Sequence, residues 1–206
     1  IMLLRVFETG LQERQVHHLV HCIQNGGIMI YPTDTIYGIG TALSNIRSLD
    51  RVAALTKKRK DDMNFTLLCR DLSHLSRFAK PISNTLFRTM KELVPGPYTF
   101  ILEANHEVPR LFQTKKKQIG IRVPDHPVLQ SILEVMDEPL LNVSLPVDEN
   151  ADPENFTDPA AIHSRFGKQV DLVIDGGEGK IQYSTVLDCT QPDIKIVRQG
   201  IGPFEI

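Results

Sequence analysis

The segment 31–40 combines side chains that could contact a ligand. It reads Tyr-Pro-Thr-Asp-Thr-Ile-Tyr-Gly-Ile-Gly and follows a short apolar run. The hydroxyls of Thr33 and Thr35 and the carboxylate of Asp34 can bond to a ligand or to nearby backbone N–H groups, and the two glycines permit close approach of the backbone. The same residue types also build ordinary β-turns. The segment therefore indicates either a ligand-facing turn or plain turn construction.

Two local clusters of basic residues could neutralise phosphates. One is Lys57-Lys58-Arg59-Lys60, at the end of an apolar helix pattern, where basic residues also complement the helix dipole. The other is Lys115-Lys116-Lys117, which is equally compatible with a solvated loop. Because the formal net charge is only −2, the whole chain has no general attraction for nucleic acid. A polyanion site must therefore be built by local clustering.

Arg122 lies within the strand-like run 119–124, which reads Ile-Gly-Ile-Arg-Val-Pro. An arginine is costly to bury without an anionic partner. We therefore expect Arg122 either to point out of the sheet or to bind a carboxylate.

The motifs for metal and phosphate-loop sites are incomplete. His17 and His21 are four residues apart on a helix pattern, but no third ligand accompanies them. The turn 175–180 ends in Gly-Lys, but Ile174 stands where a phosphate loop needs glycine and Ile181 replaces its Ser or Thr. The three cysteines lie far apart. We therefore expect no tightly bound cofactor and no structural metal.

The elements that position these residues follow from hydrophobic periodicity. Helix patterns cover 11–24, 46–55, 71–78, 82–93, 128–136 and 160–166, and strand patterns cover 2–7, 28–30, 65–69, 98–103, 119–123, 140–145, 170–174, 185–189 and 194–198. The segment 148–158 is predicted to be a polar loop. This alternation predicts a three-layer α/β domain with a mixed twisted sheet, since strands without an intervening helix argue against a purely parallel sheet.

The composition is that of an ordinary soluble globular protein, with 41% hydrophobic and 23% charged residues. The 206 residues fit one domain, 1–206. We find neither a run of about 18 apolar residues nor a cationic start with an apolar core. We therefore expect no membrane partner, and the dispersed cysteines favour a reducing compartment, most simply the cytoplasm.

Five pieces of sequence, in order, resemble the YrdC/YciO family, whose members include threonylcarbamoyl-AMP synthases. They are Pro32–Gly38, Lys57–Arg59, Pro95–Phe100, Ile121–Pro127, and Ser184–Asp188 with Arg198–Gly200. Together they span most of the chain. The segment Asn64–Leu72, which reads Asn-Phe-Thr-Leu-Leu-Cys-Arg-Asp-Leu, is similar to the YciO branch of the family.

This resemblance implies an open twisted mixed α/β sheet with flanking helices and a large concave, positively lined cavity that binds ATP or AMP. The catalytic relatives combine L-threonine, bicarbonate and ATP into threonylcarbamoyl-adenylate and release pyrophosphate. Partner proteins then transfer the threonylcarbamoyl group to an adenosine of tRNA. ATP is thus the expected substrate, with Mg²⁺ accompanying it. Binding of double-stranded RNA has also been proposed for the family.

The resemblance assigns three candidate catalytic residues. Lys57 and Arg59 match a Lys-x-Arg element that would neutralise the triphosphate, and Ser144 matches the serine of a Ser-x-Asn element. Fixed cations suit this reaction, because attack on the α-phosphate builds charge on phosphate oxygens. The chain departs from the family at Pro146, which replaces the asparagine amide with a ring that lacks a donor.

The resemblance also assigns the binding residues. Thr33 would contact threonine, and Arg122 would pair with the threonine carboxylate, for which its planar donor fork is suited. Ser184 and Arg198 would help hold the nucleotide or the adenylate, together with the catalytic residues.

Three functions remain open at this point. The first is a synthase-like nucleotidyltransferase, and the second is a nucleotide-binding regulatory paralogue without chemistry. The third is an RNA-binding module that would hold tRNA or double-stranded RNA by its phosphates. The basic rim predicted for that third function consists of Arg51, Lys58, Lys60, Arg110, Lys115, Lys116 and Lys117.

Overall fold

A ten-stranded mixed sheet forms the centre of the computed structural model, which describes residues 2–5, 11–57, 65–108, 117–148 and 150–205. The strands are β1 (Met2–Arg5), β2 (Met29–Tyr31), β3 (Gly38–Ala42), β4 (Thr66–Leu68), β5 (Tyr98–Glu103), β6 (Gln118–Arg122), β7 (Leu140–Ser144), β8 (Leu172–Asp175), β9 (Thr185–Asp188) and β10 (Lys195–Arg198). Their spatial order is β1-β8-β2-β3-β7-β4-β6-β5-β9-β10.

Parallel and antiparallel pairs are interspersed across this sheet. The pairs β1–β8, β2–β8, β4–β6 and β5–β9 are parallel. The pairs β2–β3, β3–β7, β4–β7, β5–β6 and β9–β10 are antiparallel. The predicted mixed α/β sheet with flanking helices is confirmed.

Helices cover both faces of the sheet. They are α1 (Glu13–Gln24), α2 (Leu49–Thr56), α3 (Leu72–Ser76), α4 (Asn84–Leu93), α5 (Pro127–Met136), α6 (Glu154–Thr157) and α7 (Pro159–Phe166), with short 3-10 helices at Leu43–Ser48 and Gly167–Gln169. The buried side chains of α1 and α5 form one apolar cluster with one face of the strands. The other helices pack into a second cluster on the opposite face. No helix in the described ranges could span a membrane.

The sequence explains why α1 and α5 form where they do. In α1 the buried residues Val16, Leu19, Val20 and Ile23 recur at helical spacing, and the helix ends just before Gly26, whose φ is +91°. Helix α5 begins with a proline at its first position, Pro127. Both helices thus present one apolar face to the sheet.

Helices α1 and α5 cover only part of their face of the sheet. Successive side chains of a strand alternate between the faces, so residues two apart share one. On β7, Leu140 belongs to the cluster formed by α1 and α5, whereas Asn142 and Ser144 line an open cavity. On β4, Leu68 belongs to the same apolar cluster, whereas Thr66 lines the cavity. The polar ends of these strands therefore form the floor of the cavity.

Two local predictions are corrected by the structure. The two glycines of the segment 31–40 do not lie in the turn but in strand β3, and the residues between β2 and β3 form the turn. The physical reason is that β3 pairs with β2 and β7 so closely that a Cβ at Gly38 or Gly40 would clash with Tyr31 and with Asn142 or Leu141. The predicted loop 148–158 contains the short helix α6 near its end.

Candidate functional site

A cavity of about 860 Å³ opens above the polar ends of β4, β5, β6, β7, β9 and β10. This volume lies within the roughly 300–1,000 Å³ range of small-molecule sites. Its charged lining side chains are Lys117, Arg122 and Arg198, and no carboxylate lines it within the described part of the chain. The cavity therefore presents hydrogen-bond donors and positive charge to a ligand.

Arg122 is buried on the cavity floor, with 4% of its surface exposed. Its Nη2 forms an ion pair with Asp34, and its Nη1 donates to Thr35 Oγ1 at 2.9 Å. Burial lowers the pKa of the Arg122 guanidinium, and the charge of Asp34 opposes that shift. Of the two outcomes expected for Arg122, the structure shows pairing with a carboxylate, and Asp34 of the same chain supplies it.

The Nε atom of Arg122 is buried and has no hydrogen-bond partner among the described residues. A buried guanidinium N–H without an acceptor is costly. An acceptor from a ligand in the cavity would satisfy it.

Hydrogen bonds from side chains between β2 and β3 fix the turn in which Asp34 lies. Thr33 Oγ1 donates to the carbonyl of Ile36 at 2.8 Å and accepts the backbone N–H of Thr35 at 2.9 Å. Asp34 Oδ2 accepts the N–H of Asp125 at 3.1 Å. The structure shows the side chains building the turn and holding Arg122 at the cavity floor, whereas a direct contact of this segment with a ligand stays a prediction.

Thr33 does not line the cavity. Its Oγ1 lies 3.1 Å from Thr35 Oγ1, which in turn accepts from Arg122. The residue predicted to contact threonine thus connects to the cavity through Thr35 and Arg122.

Ser184 and Arg198 lie together on the β9–β10 side of the cavity. Arg198 donates to the carbonyl of Ser184 from Nε at 3.2 Å and from Nη2 at 2.9 Å, and its guanidinium lies 4.9 Å from the ring centroid of Tyr183. The hydroxyls of Ser184 and Thr99 are 2.8 Å apart. Burial lowers the pKa of Arg198. These contacts fix a cation at the cavity wall.

Ser144 is the last residue of β7 and is half-buried at the cavity. Its partner in the sheet register is Gly38 of β3. Pro146 lines the same cavity two residues later. The departure from the family pattern therefore lies within the site.

The structure brings five predicted residues to one cavity: Lys117, Arg122, Ser144, Ser184 and Arg198. Lys57 is exposed at the end of α2, with a φ of 54°, and does not line the cavity. Arg51 pairs with Asp171 at 2.9 Å. The remaining predicted residues lie outside the described ranges: Lys58, Arg59, Lys60, Arg110, Lys115 and Lys116.

Asn142 is a cavity residue that the sequence prediction missed. It is 6% exposed, and its Oδ1 accepts the hydroxyl of Tyr31 at 2.8 Å. The signal that could have found it is period-two spacing, since Asn142 precedes Ser144 by two residues on the same strand.

Comparisons with known proteins show the family of the chain. A family model for Sua5, YciO and YrdC, described as "Telomere recombination", matches residues 21–200. The chain therefore belongs to the Sua5/YciO/YrdC family.

Within this family the chain is more similar to YciO than to a synthase. It is 41% identical to YciO of Escherichia coli (strain K12) over 93% of this chain and 91% of YciO. The crystal structure of E. coli YciO superposes with a TM-score of 0.86, covering 98% of this chain and 97% of that one. A putative threonylcarbamoyl-AMP synthase of Methanocaldococcus jannaschii is 28% identical over 98% of this chain and 95% of its own length. The predicted family and its YciO branch are confirmed.

The fold also matches a structure with a bound amino acid. Sua5 of Pyrococcus abyssi in complex with L-threonine superposes with a TM-score of 0.85 at 24% identity, over 97% of this chain. This chain spans 58% of that protein. The match shows that the two share a fold.

Proposed function

We propose that this protein binds ATP and L-threonine in the cavity and forms threonylcarbamoyl-adenylate with bicarbonate. The observation that supports the proposal is that Arg122, Ser144, Ser184 and Arg198 line one cavity. The resemblance assigns them to threonine or the nucleotide. Relatives named as threonylcarbamoyl-AMP synthases, and the complex of P. abyssi Sua5 with L-threonine, support the same substrates.

The proposed reaction joins the carbamate of threonine to the α-phosphate of ATP. The threonine amine attacks the bicarbonate carbon and water leaves, which gives the carbamate. A carbamate oxygen then forms a bond to the α-phosphorus, the bond from that phosphorus to the oxygen that bridges to the β-phosphorus breaks, and pyrophosphate leaves with that oxygen. Negative charge on the phosphate oxygens needs fixed positive groups. Arg198 is such a group at the cavity wall. The resemblance assigns Lys57 and Arg59 to the triphosphate as well, but Lys57 does not line the cavity, so the proposal places no phosphate contact at Lys57. Mg²⁺ would enter with ATP.

In this proposal Arg122 meets the threonine carboxylate with Nε, because its two terminal nitrogens already contact Thr35 and Asp34. A guanidinium carries five N–H donors, so each terminal nitrogen keeps a second N–H beside the one engaged here. Nε is the nitrogen of Arg122 that has no hydrogen-bond partner in the described ranges.

Pro146 reduces the proposed activity. Losing one polar contact to a ligand costs about 1–3 kcal/mol, which is roughly ten- to hundredfold in rate or affinity. We expect a slow synthase rather than an inactive one.

The test is pyrophosphate release that depends on both threonine and bicarbonate, with mass detection of the adenylate. Arg198→Gln should remove the release. Arg165→Gln is a matched control, because Arg165 stacks on Phe156 at 4.9 Å and does not line the cavity. Release no greater than with ATP alone would refute the synthase. Saturable ATP or AMP binding without turnover would instead identify a regulatory paralogue.

Binding of double-stranded RNA remains a second candidate function. The observation in its favour is that Lys117 is exposed and borders a cavity whose charged lining residues are all basic in the described ranges. Binding through phosphates should weaken steeply as salt rises from 50 to about 200 mM. An RNA affinity that does not change with salt would contradict this candidate.

A further inference from the structure

Asn142 directs an unpaired amide donor toward the cavity. The residue is 6% exposed and lines the cavity. Its Oδ1 accepts the Tyr31 hydroxyl at 2.8 Å, and Tyr31 is its only side-chain hydrogen-bond partner among the residues that the structure describes. An amide carries two donors on nitrogen. The Nδ2 group therefore has both N–H bonds available to a ligand.

Tyr31 fixes the orientation of this amide. Its ring lies across β3, where an added Cβ at Gly38 would come within 2.6 Å of the ring and one at Gly40 within 2.7 Å of the hydroxyl. Tyr31 is fully buried, and burial strongly raises the pKa of its hydroxyl, which thus stays protonated and donates to Asn142. The amide oxygen is held on Tyr31, and the nitrogen is left for the cavity.

A second unpaired donor lies on the same floor. Asn142 is opposite Thr66 in the sheet register, and Thr66 is opposite Gly120, two residues before Arg122 on the same face of β6. The Nε of Arg122 is buried without a partner in the described ranges. In the sheet register Thr66 and Gly120 follow Asn142 across the floor, and Leu68 lies opposite Arg122.

We propose that Asn142 and Arg122 together form an oxyanion-binding subsite on the cavity floor, with Tyr31 as the positioning residue. Both groups offer donors, and no carboxylate among the described residues lines the cavity. An oxyanion accepts such bonds without needing a donor in return. The subsite rests on the proposed function and deepens it, because it supplies an amide donor that the chain lacks at Pro146.

Two groups of the proposed substrates are oxyanions: the phosphate of the nucleotide and the carboxylate of threonine. Two pairs of ligands show which of these groups the subsite binds. AMP is compared with adenosine, which lacks the phosphate, and L-threonine with L-threoninol, which lacks the carboxylate. Calorimetric titration of each ligand measures the affinity.

Asn142→Asp is the decisive variant. An aspartate keeps the size of the residue and still accepts the Tyr31 hydroxyl, but it replaces the amide donor with a negative charge. We expect a loss of about 10- to 100-fold in affinity for AMP or for threonine, and no such loss for the partner of that pair that lacks the oxyanion. Asn142→Ala should lose less than Asn142→Asp, because it adds no repulsion. A purely structural role predicts the opposite order.

Tyr31→Phe tests the positioning role. It leaves Asn142 in place but removes the hydrogen bond that fixes the amide, so affinity for the oxyanion should fall by less than in Asn142→Asp. Asn84→Asp is the charge control, because Asn84 is exposed at the start of α4, on the other face of the sheet. It should bind all four ligands as the wild type does.

The outcomes separate the subsite from the proposed function. If the wild-type protein binds AMP or threonine and Asn142→Asp binds it equally well, the subsite is refuted and the proposed function stands. If adenosine or threoninol loses as much affinity as its charged counterpart, the contact is not to an oxyanion. If the wild-type protein binds none of the four ligands, the proposed function fails and the subsite fails with it.

Discussion

At the scale of single residues, Arg122 and Asp34 form a buried ion pair. Only 5% of the Arg122 side chain and 11% of the Asp34 side chain are exposed. Breaking a buried pair leaves an uncompensated charge in a low-dielectric environment, which is far more costly than losing a surface pair. Removing either partner should therefore destabilise the site.

We predict that Asp34→Asn lowers the free energy of unfolding by about 3–5 kcal/mol, because Arg122 then remains buried without a countercharge. Urea denaturation at pH 7 measures it. The control is Glu103→Gln, which breaks the 2.7 Å ion pair between Glu103 and Lys80. These side chains are 48% and 59% exposed, respectively. That change should cost about 0–1 kcal/mol. Equal losses in the two variants would show that Arg122 does not depend on Asp34.

His74 gives a prediction for pH. It is 3% exposed, its Nδ1 accepts the N–H of Arg70 at 3.3 Å, and its Nε2 has no partner in the described ranges. Burial, followed by the charges of Arg77 and Arg70, lowers the pKa of His74. The unfolded chain therefore takes up this proton at a higher pH than the folded chain does.

Stability should be unaffected by His74 above about pH 6.5 and should fall as the pH decreases below that value, by at most about 1.4 kcal/mol per pH unit. His74→Asn keeps an acceptor but cannot titrate, so its stability should depend less on pH between 8 and 5. Denaturation curves at several pH values measure the slope. His17→Asn, at an exposed position, should keep the wild-type slope, and an unchanged slope in His74→Asn would refute the assignment.

At the scale of elements, the close packing of β2, β3 and β7 depends on glycine. We predict that Gly40→Ala lowers the free energy of unfolding by about 1–3 kcal/mol or more, since the new Cβ would lie 2.1 Å from the carbonyl oxygen of Leu141. Gly120→Ala is the matched control, because its Cβ would come no closer than 3.3 Å to Thr99. Its stability should stay within about 1 kcal/mol of wild type. Urea denaturation of both variants shows whether stability is lost through the steric contact with Leu141 or through the replacement of glycine as such.

Periodicity predicted most of the elements, because a buried helix face or strand face leaves a pattern in the nearby sequence. The faces of α1 and α5 are examples. Strand β3 was missed because Gly-Ile-Gly-Thr-Ala has no alternation of apolar and polar residues, and all five are buried. Its environment is set by the ring of Tyr31, which lies on a neighbouring strand.

The same limit applies to the candidate site. The cost of burying a charge predicted that Arg122 needs an anionic partner, but not which one, since Asp34 lies 88 residues away in the sequence. Period-two spacing from Ser144 could have pointed to Asn142, but its position relative to Arg122 follows only when β7 is aligned with β4 and β6. Residue chemistry could be predicted locally, whereas the register that brings residues together could not.

At the scale of the whole molecule, ligand binding should stabilise the fold. Every lining residue of the cavity belongs to the single sheet or to a segment next to one of its strands. A ligand that binds only the folded chain at a concentration of 100 times its Kd adds about 2.7 kcal/mol. For a chain of 206 residues, this corresponds to a rise in Tm of roughly 5–10 °C.

We predict one cooperative thermal transition, because the chain is expected to be a single domain. We also predict that saturating ATP and Mg²⁺ raise its Tm by roughly 5–10 °C. Differential scanning calorimetry measures both. Arg198→Gln should lose most of the ATP-dependent rise, since it removes the cation held at the cavity wall by Ser184, whereas Arg165→Gln should keep it. Two separate transitions would contradict the single domain. An equal rise in both variants would show that ATP binds elsewhere, because Arg198 lines the cavity and Arg165 does not.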